Sequence, residues 1–397
     1  MKRYDFDKIV ERRGSGALKY DTLEQRYGDS SLLPLWVADM DFETPDFIVE
    51  AMNRRMRHNI FGYSVVPEEF HEAIISWNKR LHGWDTEKEW IRFVPGVVKG
   101  IGLIINYFSA PGDKIIIQPP VYHIFKTVIE GNGRIPLVNP LVEESDGRYR
   151  MNLHQLEQLA SAPDCKIMIL SNPHNPAGLL WDAETLAAVA EICDANNVLV
   201  ISDEIHSDMA LRGGRHIPFA TVSDTAAKNS ITLAAPSKTF NIPGIVSAYA
   251  VTPDSELRTG FYNWLDANEF SEPTVFAPIV TIAAYTEGDN WRRQMLDYVD
   301  KNIDYLMDFF KENIPEIKPV RPQASFLVWL DCRALRLTHE ALVELFERRA
   351  GLALNSGKMF GEGGEGFMRI NVATPRANLE KALSKLKNAI NTTLANS

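Results

Sequence analysis

Apolar residues in this chain fall into short continuous runs, separated by stretches with helical spacing. Lys114-Ile115-Ile116-Ile117-Gln118 predicts a strand buried on both faces, as do Lys166-Ile167-Met168-Ile169-Leu170 and Val198-Leu199-Val200-Ile201. Ile231-Thr232-Leu233 and Val246-Ser247-Ala248-Tyr249-Ala250-Val251 read the same way. Between the second and third runs, Asp182 to Ala195 predicts a helix with Asp182 as N-cap. Pro45 to His58 predicts another, with Pro45 in the first turn. Short buried strands alternating with helices predict an α/β fold around a mostly parallel sheet. From about residue 285 the texture changes. A long helical pattern runs to Asn313, Phe326 to Leu330 reads as a strand, and Thr338 to Ala350 as a helix closed by Gly351. A strand over Phe367 to Val372 and a helix from about Arg376 complete a smaller α+β unit. The expected division is an N-terminal segment 1–45 packing with the small domain, a large domain 46–284 and a small C-terminal domain 285–397.

A length of 397 residues fits two domains better than one core. Hydrophobic content of 45% and charged content of 24% are those of a globular enzyme. The net charge of −10 argues against nucleic acid or an anionic membrane as the main partner. Met1-Lys2-Arg3-Tyr4-Asp5 lacks an apolar h-region, and no apolar run approaches the ~20 residues of a membrane span. Cys165, Cys193 and Cys332 are odd in number and far apart, which predicts a reducing, cytoplasmic location. No HExxH, paired-Cys or EF-hand spacing is present, so no metal is expected, and no GxSxG supports a serine hydrolase.

The candidate chemistry sits just past the predicted strands. Lys238, in Ala235-Pro236-Ser237-Lys238-Thr239-Phe240, comes after a buried-type strand, among small residues. Desolvation there lowers a lysine pKa and suits it to imine formation, whereas most lysines are solvated surface charges. Asp203 ends the third strand, at the sheet edge where α/β folds bind ligands; the bland alternative is a turn cap. Asn175, in Asn172-Pro173-His174-Asn175-Pro176-Ala177-Gly178, has a backbone fixed by prolines, though an ordinary Asn-Pro turn reads identically. An acid, an amide and a lysine so placed are what pyridoxal 5'-phosphate (PLP) chemistry needs: a Schiff base, a ring-nitrogen partner and a ring-hydroxyl partner. Phosphate belongs at a helix N-terminus, and Pro95-Gly96-Val97-Val98-Lys99-Gly100 opens a helix running to about Phe108. Gly361-Glu362-Gly363-Gly364-Glu365-Gly366 matches GxGxxG, but a strand comes next; we read it as a mobile loop and no dinucleotide site. Tyr122 either stacks on a cofactor or belongs to the core. Arg369, inside an apolar strand, needs a carboxylate: an internal salt bridge or a substrate α-carboxylate.

Together these residues resemble the class I/II aminotransferase-like, fold-type I PLP enzymes over nearly the whole chain. Within that superfamily Leu35-Trp36-Val37-Ala38-Asp39-Met40-Asp41-Phe42 is similar to the cystathionine β-lyase branch, the cystalysin-like C–S lyases. Phe61-Gly62-Tyr63, Ser202-Asp203-Glu204-Ile205-His206-Ser207-Asp208 and Ser237-Lys238-Thr239-Phe240-Asn241 are similar to it too. The resemblance implies a homodimer with the active site at the subunit interface. It implies Lys238 as the Schiff-base lysine, Asp203 at the ring nitrogen, Asn175 at O3′ and Tyr122 on the ring. Tyr63 would reach across from the other subunit toward the phosphate, which Gly96, Val97, Val98 and Ser237 would also hold. Lys238, Tyr63 and Tyr122 would serve catalysis; Val37, Ala38 and Arg369 would bind substrate. Three positions depart from the aminotransferase pattern: His206 stands for a tyrosine, Val246 for a phosphate-binding arginine, and Ala177 for a threonine. His206 either reaches O3′ or packs behind the ring, and Lys99 either helps hold the phosphate or lies on an exposed helix face. The implied activity is a PLP-dependent carbon–sulfur β-lyase cleaving L-cystathionine or related cysteine S-conjugates to a thiol, pyruvate and ammonia. An aminotransferase on the same scaffold, and a regulatory protein that binds a partner through the fold, are the alternatives.

Overall fold

The computed structural model describes residues 2–395. Its centre is a seven-stranded sheet made of β1 (Ile91–Val94), β2 (Lys114–Ile117), β3 (Ile135–Val138), β4 (Cys165–Ser171), β5 (Leu199–Asp203), β6 (Ser230–Ala234) and β7 (Ala248–Val251). The order across the sheet is β1-β7-β6-β5-β4-β2-β3. Only β7 runs against its neighbours, so the other six end on one edge. The inner strands are apolar throughout because both faces are covered. The helices Val97–Phe108 and Ser255–Ala267 pack on one face, and Leu153–Ala160 and Ala183–Ala195 on the other. Gly100 lies so close to β6 that an added Cβ would sit 3.1 Å from the Leu233 side chain.

A second, antiparallel sheet has the order β8-β9-β11-β10, from Lys318–Val320, Leu327–Asp331, Asn355–Ser356 and Phe367–Asn371 taken as β8, β9, β10 and β11. The N-terminal segment joins this part of the molecule: Leu33-Pro34 pairs in parallel with Leu352-Ala353. The predicted N-cap Asp182 accepts from the Thr185 N–H at 2.8 Å, and Thr338 likewise caps its helix, accepting from the Ala341 N–H at 3.2 Å.

Several local expectations are corrected. Pro45 is the N-cap of Asp46–Met56 rather than a first-turn residue. The helical pattern from residue 285 is two helices, Ala277–Glu287 and Asp289–Asn313, broken at Gly288, where a Cβ would collide with the Phe240 ring. The helix expected to run to Ala350 is α-helical over His339–Glu344 and widens to a π-helix over Leu345–Arg349. Residues 361–366 are a closely packed turn rather than a mobile loop; Gly364 lies directly against the Gly357 carbonyl.

The segment Leu35–Phe42 runs between the two sheets and is anchored by a buried ion cluster. Asp41 accepts from the fully buried Lys19 ammonium at 2.9 Å, from Arg12 at 2.9 Å and from the Tyr20 hydroxyl at 3.2 Å. Breaking such a cluster from one side strands a buried charge, at a cost of roughly 3–5 kcal/mol. Asp41→Ala, which leaves Lys19 only the more distant Asp39, is expected to lower the melting temperature by several degrees. Calorimetry checks this, and an unchanged melting temperature would mean that the cluster contributes no net stability.

Candidate active site

Five chain segments leave the C-terminal edge of the sheet and converge on one cavity of about 250 Å³. Ser171 and Asp203 are register partners on adjacent parallel strands, so their side chains arrive side by side. Lys238 lies four residues past β6, in a tight turn closed by Phe240 N–H to the Pro236 carbonyl and Ile242 N–H to the Ser237 carbonyl. Gly96 separates β1 from the helix Val97–Phe108, with φ of 108° that a side chain would disfavour. It places no capping side chain over the first-turn N–H groups of that helix, which aim at the cavity wall formed by Gly96, Val97 and Val98.

Lys238 and Asp203 at this cavity are desolvated, and neither forms an ion pair with an opposite charge among the described residues. The half-buried Lys238 ammonium donates to the Ala38 carbonyl at 2.7 Å. Burial pulls its pKa down to about 8, with Arg369 adding to the fall and Asp39 and Asp203 opposing it. Among the described residues the buried Asp203 carboxylate accepts only the Ile205 N–H, at 3.1 Å. Burial pushes its pKa up to about 7, against that hydrogen bond. Burial also lowers His206 to about 3, so its imidazole is neutral; its edge meets the Phe326 ring and its Nδ1 has no partner among the described residues. Burial raises the Tyr122 phenol.

Asn175 is held at both ends. Its N–H donates to Ser171 Oγ at 3.1 Å, and its Oδ1 accepts from Arg369 Nη1 at 2.9 Å. An arginine only donates, so the amide oxygen is the atom it engages. The Asn175 Nδ2 group then has no partner among the described residues, in a side chain on the cavity wall. Arg369, 4% exposed, donates through Nη2 to the Trp36 carbonyl at 3.1 Å and to Asn355 Oδ1 at 2.6 Å. Its guanidinium lies over the Phe360 ring at 4.8 Å, and its Nε is buried without a partner. No carboxylate pairs with it among the described residues, so the internal salt bridge open from the sequence is not formed. Burial lowers its pKa to about 10.

The cavity wall thus includes Ala38, Gly96, Val97, Val98, Tyr122, Asn175, Asp203, His206, Ser237 and Lys238. Lys99 and Val246 line it as well. Three expected site residues are not on this wall. Arg369 stands behind Asn175, and Val37 is half-buried, with its carbonyl tied to Asn371 Nδ2 at 2.6 Å. Tyr63 is fully exposed, beside exposed Ile60, Phe61 and Val65, and makes no contact with this protomer's cavity. Sequence reasoning missed Ser171, Asn355 and Asn371 as supports. Of these only Asn371 carried a signal: it lies two residues past Arg369, on the same face of β11.

A family model for class I and II aminotransferases matches residues 30–386, and the chain belongs to that family. It is 40% identical to cystathionine beta-lyase PatB of Bacillus subtilis over 97% of this chain and 100% of that one. It is 35% identical to protein MalY of Escherichia coli over 98% and 99%. Cystalysin of Treponema denticola, solved with a pyridoxal 5'-phosphate cofactor, superposes with a TM-score of 0.95 at 31% identity, covering 99% of this chain and 100% of that one.

A lowered lysine pKa means that the free amine appears at lower pH. In the cofactor-free protein, acylation of Lys238, read by peptide mass spectrometry across pH, is expected to reach half its maximum near pH 8 rather than near 10.5. A midpoint matching that of the exposed lysines would show that the site does not desolvate it.

Proposed function

We propose that this protein is a PLP-dependent carbon–sulfur β-lyase that cleaves L-cystathionine or a related cysteine S-conjugate to a thiol, pyruvate and ammonia. The observation that carries the reading is the convergence of Lys238, Asp203 and Asn175 over an uncapped helix N-terminus, with no counter-ion for Asp203. The full-length similarity to a cystathionine beta-lyase selects elimination over transamination.

The residues fit the cofactor. Lys238 would hold it covalently. Asp203, a buried carboxylate with one N–H donor, needs a cationic partner, and the protonated pyridine nitrogen supplies one. The free Nδ2 of Asn175 suits O3′, with the neutral His206 beside it, and Tyr122 would lie on the ring. The N–H groups of Val97 and Val98, with Gly96 allowing close approach and Ser237 opposite, would take the phosphate. Val246 offers no charge there, so these dipoles carry more of the work, with Lys99 also on the cavity wall.

Bound PLP supplies an electron sink for negative charge at the substrate Cα. Arg369 would hold the substrate α-carboxylate; its lack of an acidic partner and its idle Nε support this. Val37 and Ala38 would border the substrate, and the Ala38 carbonyl already orients the Lys238 amine. Once the substrate amine has displaced it from the cofactor, the Lys238 amine, with its free pKa lowered to about 8, would take the Cα proton at neutral to mildly alkaline pH. The Cβ–S bond would then break, its electron pair leaving with the thiolate while the Cα pair forms a Cα=Cβ bond, and water would hydrolyse the resulting enamine to pyruvate and ammonia. Asp203 holds the ring nitrogen protonated throughout.

The exposed stretch around Tyr63 supports a homodimer in which each copy lends Tyr63 to the other's cavity. The pairing of Leu33-Pro34 with Leu352-Ala353 supports a small domain at 285–397 that includes the segment 1–45, beside a cofactor-binding domain at 46–284. Among the described residues, no helix is long and apolar enough to cross a membrane. Three buried, unpaired cysteines support a reducing, cytoplasmic setting.

The protein, loaded with PLP, is expected to be yellow and to release pyruvate and thiol from L-cystathionine. That turnover should exceed transamination of alanine or aspartate by at least about tenfold, a barrier difference of ~1.4 kcal/mol. Lys238→Ala should abolish both the visible band and the turnover. A faster reaction with a keto-acid acceptor would make the protein an aminotransferase instead.

A further inference from the structure

We propose that a second cavity, on the far side of Tyr122, receives the distal half of the thioether substrate, the part that carries its own ammonium and carboxylate. This rests on the lyase reading above. The cavity measures about 440 Å³, and Tyr122 lines both it and the cofactor cavity. His123 forms its inner wall, with its ring 5.3 Å from Tyr122 and 6.0 Å from Phe360. Phe360 also lines it, and the Arg369 guanidinium lies over that same ring at 4.8 Å. The second cavity therefore abuts the group assigned to the substrate α-carboxylate. In this proposal a long substrate anchored at Arg369 extends past Tyr122 and Phe360 into this space, and a short one leaves it empty.

The lining matches a zwitterion. His123 Nδ1 is buried without a partner, a hydrogen-bonding group that a ligand atom would satisfy. Burial lowers the His123 pKa, so the ring is neutral and has both a donor and an acceptor to offer. The rim carries both signs of charge. Lys358 is already bridged to Glu340 at 2.9 Å and Glu365 at 3.2 Å. Lys126 is paired only loosely with Glu130, at 3.7 Å and largely in solvent, a contact of little worth that a ligand carboxylate can displace. Glu362 stands on the same rim and suits the ammonium. This gives the glycine-rich turn 361–366 a purpose. Gly361, at φ of 90°, folds tightly over Pro119, where an added Cβ would lie 3.1 Å from the proline side chain and would be strained by the backbone, and so brings Glu362 to the mouth.

The test compares kcat/KM for L-cystathionine with kcat/KM for S-methyl-L-cysteine, which has no distal half, in wild type, His123→Phe and Lys126→Ala. The ratio of the two is expected to fall roughly tenfold in His123→Phe and about threefold in Lys126→Ala, mainly through KM for L-cystathionine. An unchanged ratio in both variants overturns the subsite. Should His123→Phe fail to fold, Lys126→Ala, at an exposed position, decides alone. If wild type releases pyruvate from neither compound, the lyase reading itself has failed, and the subsite with it.

Discussion

The structure is organised around charge removed from water without an opposite charge to meet it. Lys238 has a carbonyl, Asp203 an N–H, and Arg369 two amides and a carbonyl. Burying an ion is costly, and neutral hydrogen-bond partners recover only part of the loss. The remainder appears as displaced pKa values: the lysine falls to about 8 and the aspartate rises to about 7. A ligand that brings a pyridinium to Asp203, an anion to the helix at Gly96 and a carboxylate to Arg369 relieves these strains together. Binding strength and chemical activation thus have one source.

Such groups stay in place only if the surrounding backbone does not give way. The segment Trp36–Phe42 performs that task through its carbonyls. Arg369 holds the one at Trp36, Asn371 those at Val37 and Asp39, Lys238 that at Ala38, and Asn241 those at Met40 and Phe42. Donors from β11 and from the turn after β6 grip one bent strip, and the Arg12–Lys19–Asp41 cluster holds Asp41 within it. Supports of this kind keep functional groups within the small tolerances that catalysis demands. They also link the small sheet's Arg369 to the large sheet's Lys238 by way of one chain segment.

Much of this was legible in the sequence, for a definite reason. Lys238, Asp203 and Asn175 each stand at or just past the end of a continuous apolar run, and the ends of such runs in a parallel sheet gather at one edge. Gly96 ahead of an apolar helix likewise marked the uncapped helix start that lines the cavity. What was hidden depends on long-range contacts that no local spacing encodes. Ser171 and Asn355 are ordinary polar residues until the fold sets them against Asn175 and Arg369. The helix break at Gly288 arises from the Phe240 ring, and the packed turn at 361–366 from Gly357 and Pro119, each far away or unforeseen in sequence. Tyr63 is fully exposed, beside exposed Ile60, Phe61 and Val65.

The central claim is that Asp203, kept buried without a counter-ion, makes the ring nitrogen cationic and the electron sink effective. The most direct measurement is kcat for L-cystathionine in Asp203→Ala, with cofactor content read from the visible spectrum. The variant should retain some PLP and lose turnover by roughly 10³-fold or more, several kcal/mol of barrier. A variant that keeps near-normal kcat would contradict the account, because some other group would then be the partner of the ring nitrogen.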